Sequence, residues 1–213
     1  MLKVSRGEAA FERDSVLFDE VIYSYPVLAG LLRAAAENGG RLSVLDFGGA
    51  LGSSYYQCKK FLSVLPSLQW GVIEQPHFVK CGLEYFKTEQ LDFFFTISDG
   101  IGKIRPSVAL LSSVLQYVPE PYAVLDELMQ SEIRYLIIDR TPFGDSDDDI
   151  ITVQHVSALI YPASYPCRIF SRKIFLEKLK NNFELISQFE SVDGTAVLSG
   201  REFAFGGMIL RKI

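Results

Sequence analysis

Histidine is nearly missing from this sequence: 213 residues contain two, His77 and His155. So few imidazoles exclude a histidine-rich transition-metal centre and leave few groups that change charge near neutral pH. Cysteine is sparse too. Cys58, Cys81 and Cys167 are odd in number and far apart, matching neither a disulfide framework nor a CxxC metal spacing. Reduced thiols in a cytoplasmic protein are the expectation. There is no basic excess, since 21 Lys and Arg face 26 Asp and Glu for a formal net charge of -5. Little is therefore available to displace counterions from a phosphate backbone, and no nucleic-acid partner is expected. No apolar run approaches the ~18 residues of a membrane-spanning helix. The opening MLKVSRGEAAFERD carries acids where a secretory signal carries an apolar core. Neither membrane insertion nor export is expected. The acidic run Asp145, Asp147, Asp148 and Asp149 has no histidine or paired acid at a ligand spacing, so it reads as solvated loop charge and no metal is expected.

What the chain does have is a globular composition, 48% hydrophobic and 22% charged with 16 Phe and 10 Tyr, at a length that suits one domain with a full core. The stretch Leu42–Tyr56, LSVLDFGGALGSSYY, stands out. An apolar strand ends in Asp46 and Phe47, breaks into Gly48, Gly49, Ala50, Leu51 and Gly52, and resumes at Ser53 as a helix start. Strand, glycine turn and helix N-terminus together form a cradle for a nucleotide-like ligand, because glycines admit close backbone approach and the first N–H groups of a helix are free.

Periodicity organises the remainder. Residues 8–38 read as helices broken at Pro26, a cap (1–40) in which Tyr23 and Tyr25 are candidate pocket aromatics. Strands are expected at 42–47, 68–74, 92–97, 107–112 and 134–139, with helices at 53–65, 77–88 and 121–130 and a turn at Asp99-Gly100. Residues 141–170 read as an irregular insertion over the site. A helix at 171–181 and strands at 183–192 and 202–211 follow, the last two too closely linked for a crossover and hence an antiparallel hairpin. The fold class is α/β: a Rossmann-like three-layer sandwich with a seven-stranded, mostly parallel sheet and an antiparallel C-terminal hairpin.

Glycine spacing narrows the ligand. A nicotinamide fingerprint would need glycines at 48, 50 and 53, but Ala50 and Ser53 stand at two of these positions. Asp46, Gly48, Ala50 and Gly52 instead resemble motif I of the class I S-adenosylmethionine-dependent methyltransferases, with alanine at the middle glycine. Glu74, ending the second strand, occupies the place of that family's ribose-binding acid. SSVLQYVPEPY resembles the segment after its fourth strand, with Gln116 where many members carry histidine. Together with YLIIDRTPF and ITVQHVSALIYPASYPCRIFS, these segments resemble a family of methyltransferases from bacterial surface-polysaccharide gene clusters, over residue 20 to the C-terminus.

The resemblance implies S-adenosylmethionine as cofactor, held by Asp46, Phe47, Gly48, Gly49, Ala50, Gly52, Glu74, Gln75, Asp99, Ser112, Ser113 and Gln116. It implies a small-molecule or sugar-linked acceptor beneath 141–170, methylated at oxygen. His155, in that insertion, is the candidate general base. Arg140, Tyr161, Tyr165 and Arg168 are candidate acceptor contacts, through stacking and anion binding. Homo-oligomer formation is left open. Two rival readings stand beside this one: a methyltransferase fold retained as a non-catalytic binding module, and an NAD-dependent sugar oxidoreductase or epimerase.

Overall fold

Long β-branched runs can sit between two helical layers because both of their faces are apolar. In the computed structural model of the chain, which describes residues 1–13, 16–156 and 162–213, such runs form the centre. The chain starts with a short helix α1 (Leu2–Ser5) and a hairpin of β1 (Phe11–Arg13) and β2 (Val16–Phe18). Helix α2 (Tyr25–Glu37) leads into β3 (Arg41–Phe47), α3 (Ser53–Leu62), β4 (Ser67–Ile73), α4 (Pro76–Tyr85) and β5 (Leu91–Phe94). Then come α5 (Ile97–Ile104), β6 (Val108–Ser112), α6 (Pro121–Gln130) and β7 (Tyr135–Gly144). Strands β8 (Ile150–His155) and β9 (Ser164–Ser171), helix α7 (Arg172–Leu179) and strands β10 (Phe183–Leu198) and β11 (Arg201–Lys212) complete the fold.

The main sheet runs β10-β11-β7-β6-β3-β4-β5. Neighbours from β7 to β5 are parallel, and β11 is antiparallel to both β7 and β10. Alternate residues serve the two layers. Val44, Trp70 and Ile137 pack in one buried cluster, while Leu45, Leu136 and Ile138 pack in the other. Chain reversal between β6 and β3 opens a crevice at the carboxyl ends of these strands, where open α/β sheets bind ligands.

Several sequence expectations change. The helix expected through 8–38 is confined to Tyr25–Glu37, and ahead of it lies the β1–β2 hairpin, in which Phe11 pairs with Phe18 at 5.9 Å between ring centroids. A short apolar run carries helix and strand periods at once, and the ring pair decides for strand. The third strand stops at Phe94, and Asp99-Gly100 is no turn but lies inside α5. Thr96 caps that helix by accepting the Asp99 N–H at 3.0 Å. Gly100, a poor helix former, is needed because a Cβ there would come within 2.5 Å of Leu45 on the sheet.

The segment 141–170 is also more regular than expected. β7 continues to Gly144, and β8 and β9 form an antiparallel hairpin joined to β7 through Phe143 and Phe170. What looked like the strand's end, Asp139-Arg140, is a bulge. Ile138 pairs with Met208 and Thr141 with Gly206, so one side of the ladder carries an extra residue, and Arg140 sits at φ 51. β10 and β11 likewise outrun their expected ends and meet at Ser199-Gly200, both with positive φ, as a two-residue hairpin turn requires.

Candidate functional site

The strand-to-helix turn after β3 is built on backbone conformations that L side chains avoid. Gly48 has φ 75, Ala50 φ 50 and Gly52 φ 88. A Cβ on Gly48 would overlap Val114, and one on Gly49 would lie 2.5 Å from the Asp46 carboxyl. Asp46 therefore supports the turn from beneath. It is 1% exposed and its Oδ2 accepts a hydrogen bond from Trp70 Nε1 at 3.0 Å. Burial pushes its pKa up to about 7, against the Trp70 bond. Helix α3 then begins without a side-chain cap, so its first N–H groups face the turn.

A cavity of about 1220 Å³ spreads from this turn. Gly48, Gly49 and Ala50 form one part of its wall, and Ser112, Ser113 and Asp139, at the ends of β6 and β7, form another. The N-terminal segment closes a third side through Phe11 and Glu12, with the Glu12 carboxylate accepting from Ser53 Oγ at 3.0 Å. Tyr23 and Tyr25 line it too, their rings packed about Phe61.

At the β6–β7 end the polar groups are interlocked. Ser112 Oγ donates to Asp139 Oδ2 at 2.9 Å, and Ser113, at φ 54, gives its N–H to the Asp139 carbonyl. Asp139 is 4% exposed, and burial raises its pKa while the Ser112 bond lowers it. Arg140 Nε donates to Asp193 Oδ2 at 2.7 Å, tying β7 to β10. Gln116 is 2% exposed and lies behind this wall. Its Nε2 donates to Ser113 Oγ and the Arg140 carbonyl, and its Oε1 has no partner among the described residues.

Other expected site residues sit elsewhere. Glu74, half-buried after β4, accepts the Gln75 N–H at 2.6 Å, and both lie outside the cavity wall. Asp99 is exposed and its carboxylate accepts from the Thr96 hydroxyl at 2.7 Å, a helix-capping arrangement. His155 borders the cavity but is exposed, and strand alternation places it with solvent-facing Ile151 and Val153 rather than with inward Gln154. Tyr165 does line the cavity, edge-on to Tyr117 at 5.2 Å. Arg168 does not; it pairs with Asp149 at 3.3 Å. Asp149 is accordingly no solvated loop charge, since it also accepts from Tyr122 and from the Ser171 N–H at 2.8 Å. Tyr161 lies outside the described residues. Sequence reasoning missed Tyr117, which reaches the cavity from the short turn after β6, and Gln154, Glu190 and Asp193, which reach it through the β8–β9 and β10–β11 hairpins; nothing local to them signals that approach.

No protein-family model matches the chain, and no curated protein matches it. Solved structures do. The N-terminal domain of EvdMO1, crystallised in the presence of S-adenosylhomocysteine (SAH) and D-fucose, superposes with a TM-score of 0.55 at 14% identity, covering 96% of this chain and 90% of that one. A SAM-dependent methyltransferase from Methanosarcina mazei gives 0.58 at 12% identity, covering 90% and 99%. SAM-bound CalS10, an amino pentose methyltransferase from Micromonospora echinaspora, gives 0.53 at 12% identity, covering 89% of each chain. These likenesses establish the fold. The chain has the α/β Rossmann-like architecture of class I methyltransferases.

Proposed function

We propose that this chain is an S-adenosylmethionine-dependent methyltransferase acting at oxygen on a small, sugar-linked acceptor in the cytoplasm, with surface-polysaccharide biosynthesis as its setting. One observation carries the reading. A positive-φ turn at Gly48, Ala50 and Gly52 opens onto the same cavity as Ser112, Ser113 and Asp139, at the crevice of a sheet whose β11 is reversed. SAM or SAH accompanies similar folds in the EvdMO1 and CalS10 structures.

The residues present fit the cofactor. The uncapped start of α3 and the turn leave N–H groups for a carboxylate or hydroxyls. The cavity, about 1220 Å³, exceeds the roughly 300–1,000 Å³ of a single-ligand pocket, leaving space for donor and acceptor together. When bound, S-adenosylmethionine supplies a methyl group on a sulfonium, ready for in-line displacement by a nucleophile held close to it. The chain's part is to position that nucleophile, exclude water with the N-terminal hairpin and β8–β9, and take a proton. His155 was the sequence candidate for the last task. Asp139 is better placed, being buried in the cavity wall with an upward-shifted pKa and a Ser112 hydroxyl that fixes its orientation.

A second reading, a non-catalytic binding module, draws on the exposure of His155 and the burial of Gln116. Calorimetric titration with SAM, SAH and NAD separates the readings. SAM and SAH should bind and NAD should not, while NAD binding alone would reject a methyl donor. Gly48→Ala should weaken SAH by about tenfold or more, because it forces a Cβ into Val114 at an unfavourable φ. Donor binding without methyl transfer to any hydroxylated acceptor would favour the binding module.

A further inference from the structure

The inner end of the cavity combines a fixed aromatic ledge with clustered acids. Tyr117 donates its hydroxyl to Gln154 Oε1 at 2.9 Å and meets Tyr165 edge-on at an interplanar angle of 89°. Both rings are thereby oriented, and Tyr117 remains 37% exposed. A flat, apolar surface of this kind suits the C–H face of a sugar ring.

The same wall carries three carboxylates, Asp139, Glu190 and Asp193. Ionised carboxylates only accept hydrogen bonds, so they match the hydroxyl and ammonium donors of a sugar and repel a phosphate. Arg140, a cation of the same wall, is already engaged. Aimed by its bulge at φ 51, it holds Asp193 at 2.7 Å, and the two side chains are 15% and 24% exposed. Lys3 and Glu190, also in the wall, are both exposed to solvent, where their pull and push on an anion are screened alike, so buried Asp139 and the paired Arg140 and Asp193 set the local charge.

We infer that this end of the cavity seats an uncharged or amine-bearing sugar ring and turns away a phosphorylated one. The inference rests on the methyl-transfer reading and names its acceptor class. It replaces the expectation that Arg140 grips an acceptor anion.

The test is calorimetric titration of the intact chain with methyl glucosaminide, methyl glucoside and glucose 6-phosphate at millimolar concentration, each with and without SAH. The two methyl glycosides should bind at least about tenfold more tightly than the phosphate. Tyr117→Ala should weaken both. Asp193→Asn, which removes one negative charge beside Arg140, should raise glucose 6-phosphate affinity by about tenfold. Phosphate binding equal to or tighter than methyl glucoside overturns the inference, as does failure of every sugar to bind. The SAH heat is read separately, so its absence counts against the donor reading while the sugar ranking still decides the charge rule.

Discussion

The two ends of the cavity are made in opposite ways. At the glycine end, one contiguous stretch from Asp46 to Ser54 supplies almost everything, and its shape is fixed by backbone angles with Trp70 bracing from the next strand. At the far end, residues as distant in sequence as Ser112, Asp139, Tyr165 and Asp193 converge, and side-chain bonds hold them. The first end depends on which residues tolerate positive φ. The second depends on a few buried polar hubs, and local change there spreads across several strands.

The largest expected loss of stability lies behind the far end, outside the cavity wall, where Asp149 anchors the β9 strand that carries Tyr165 to it. Asp149→Ala removes the acceptor for Tyr122, Arg168 and the Ser171 N–H together. It should cost about 3 kcal/mol in denaturant unfolding, since a guanidinium with little solvent access loses its partner. SAH affinity should stay within about twofold, because the glycine end shares no part of this hub. A parallel loss of SAH binding would erase the distinction between them.

Asp46 probes the glycine end through pH. Its folded pKa of about 7 lies above the ordinary 3.8, so between those values the folded chain holds a proton that the unfolded chain has released. Its contribution to stability is therefore most favourable below pH 4 and falls as pH rises towards 7. Asp46→Asn should remove that slope and gain about 4 kcal/mol over the parent at pH 8, shrinking to nothing near pH 4. Parallel stability curves for parent and variant across this range would show that the carboxylate carries no such strain.

The smallest effect tests Ala50, an L residue at φ 50 where the resembled motif has glycine. Ala50→Gly should stabilise the fold by roughly 0.5 kcal/mol, the relief of a left-handed conformation less the extra freedom of glycine in the unfolded chain. A thermal melt that moves down instead would mean the Ala50 methyl is packed rather than strained.

Much of the central fold was legible in the sequence. The strands at 42–47 and 107–112 and the helix at 121–130 were found because long apolar runs and proline or serine starts encode them locally. Helix α5 was not, since Gly100 and Gly102 lower its propensity and the reason for Gly100, contact with Leu45, comes from another strand. The Asp139-Arg140 bulge reads as a strand end, because a polar pair at a register slip looks like one from sequence. In the candidate site, Gly48, Gly49, Ala50, Ser112, Ser113, Arg140, His155 and Tyr165 do border the cavity. Glu74, Gln75, Asp99, Gln116 and Arg168 do not. Glu74 and Asp99 are engaged locally, by the Gln75 N–H and the Thr96 hydroxyl, whereas the Arg140 carbonyl and Asp149 hold Gln116 and Arg168 across gaps that sequence spacing does not reveal.

By itself the sequence determined the alternation of strand and helix and the glycine turn after β3, because both are written in neighbouring residues through hydrophobic period and allowed φ. Only the tertiary structure decided what faces that turn. Register along β7, β10 and β11 selects which side chains enter the cavity, and a slip of one residue sends a side chain to the opposite face.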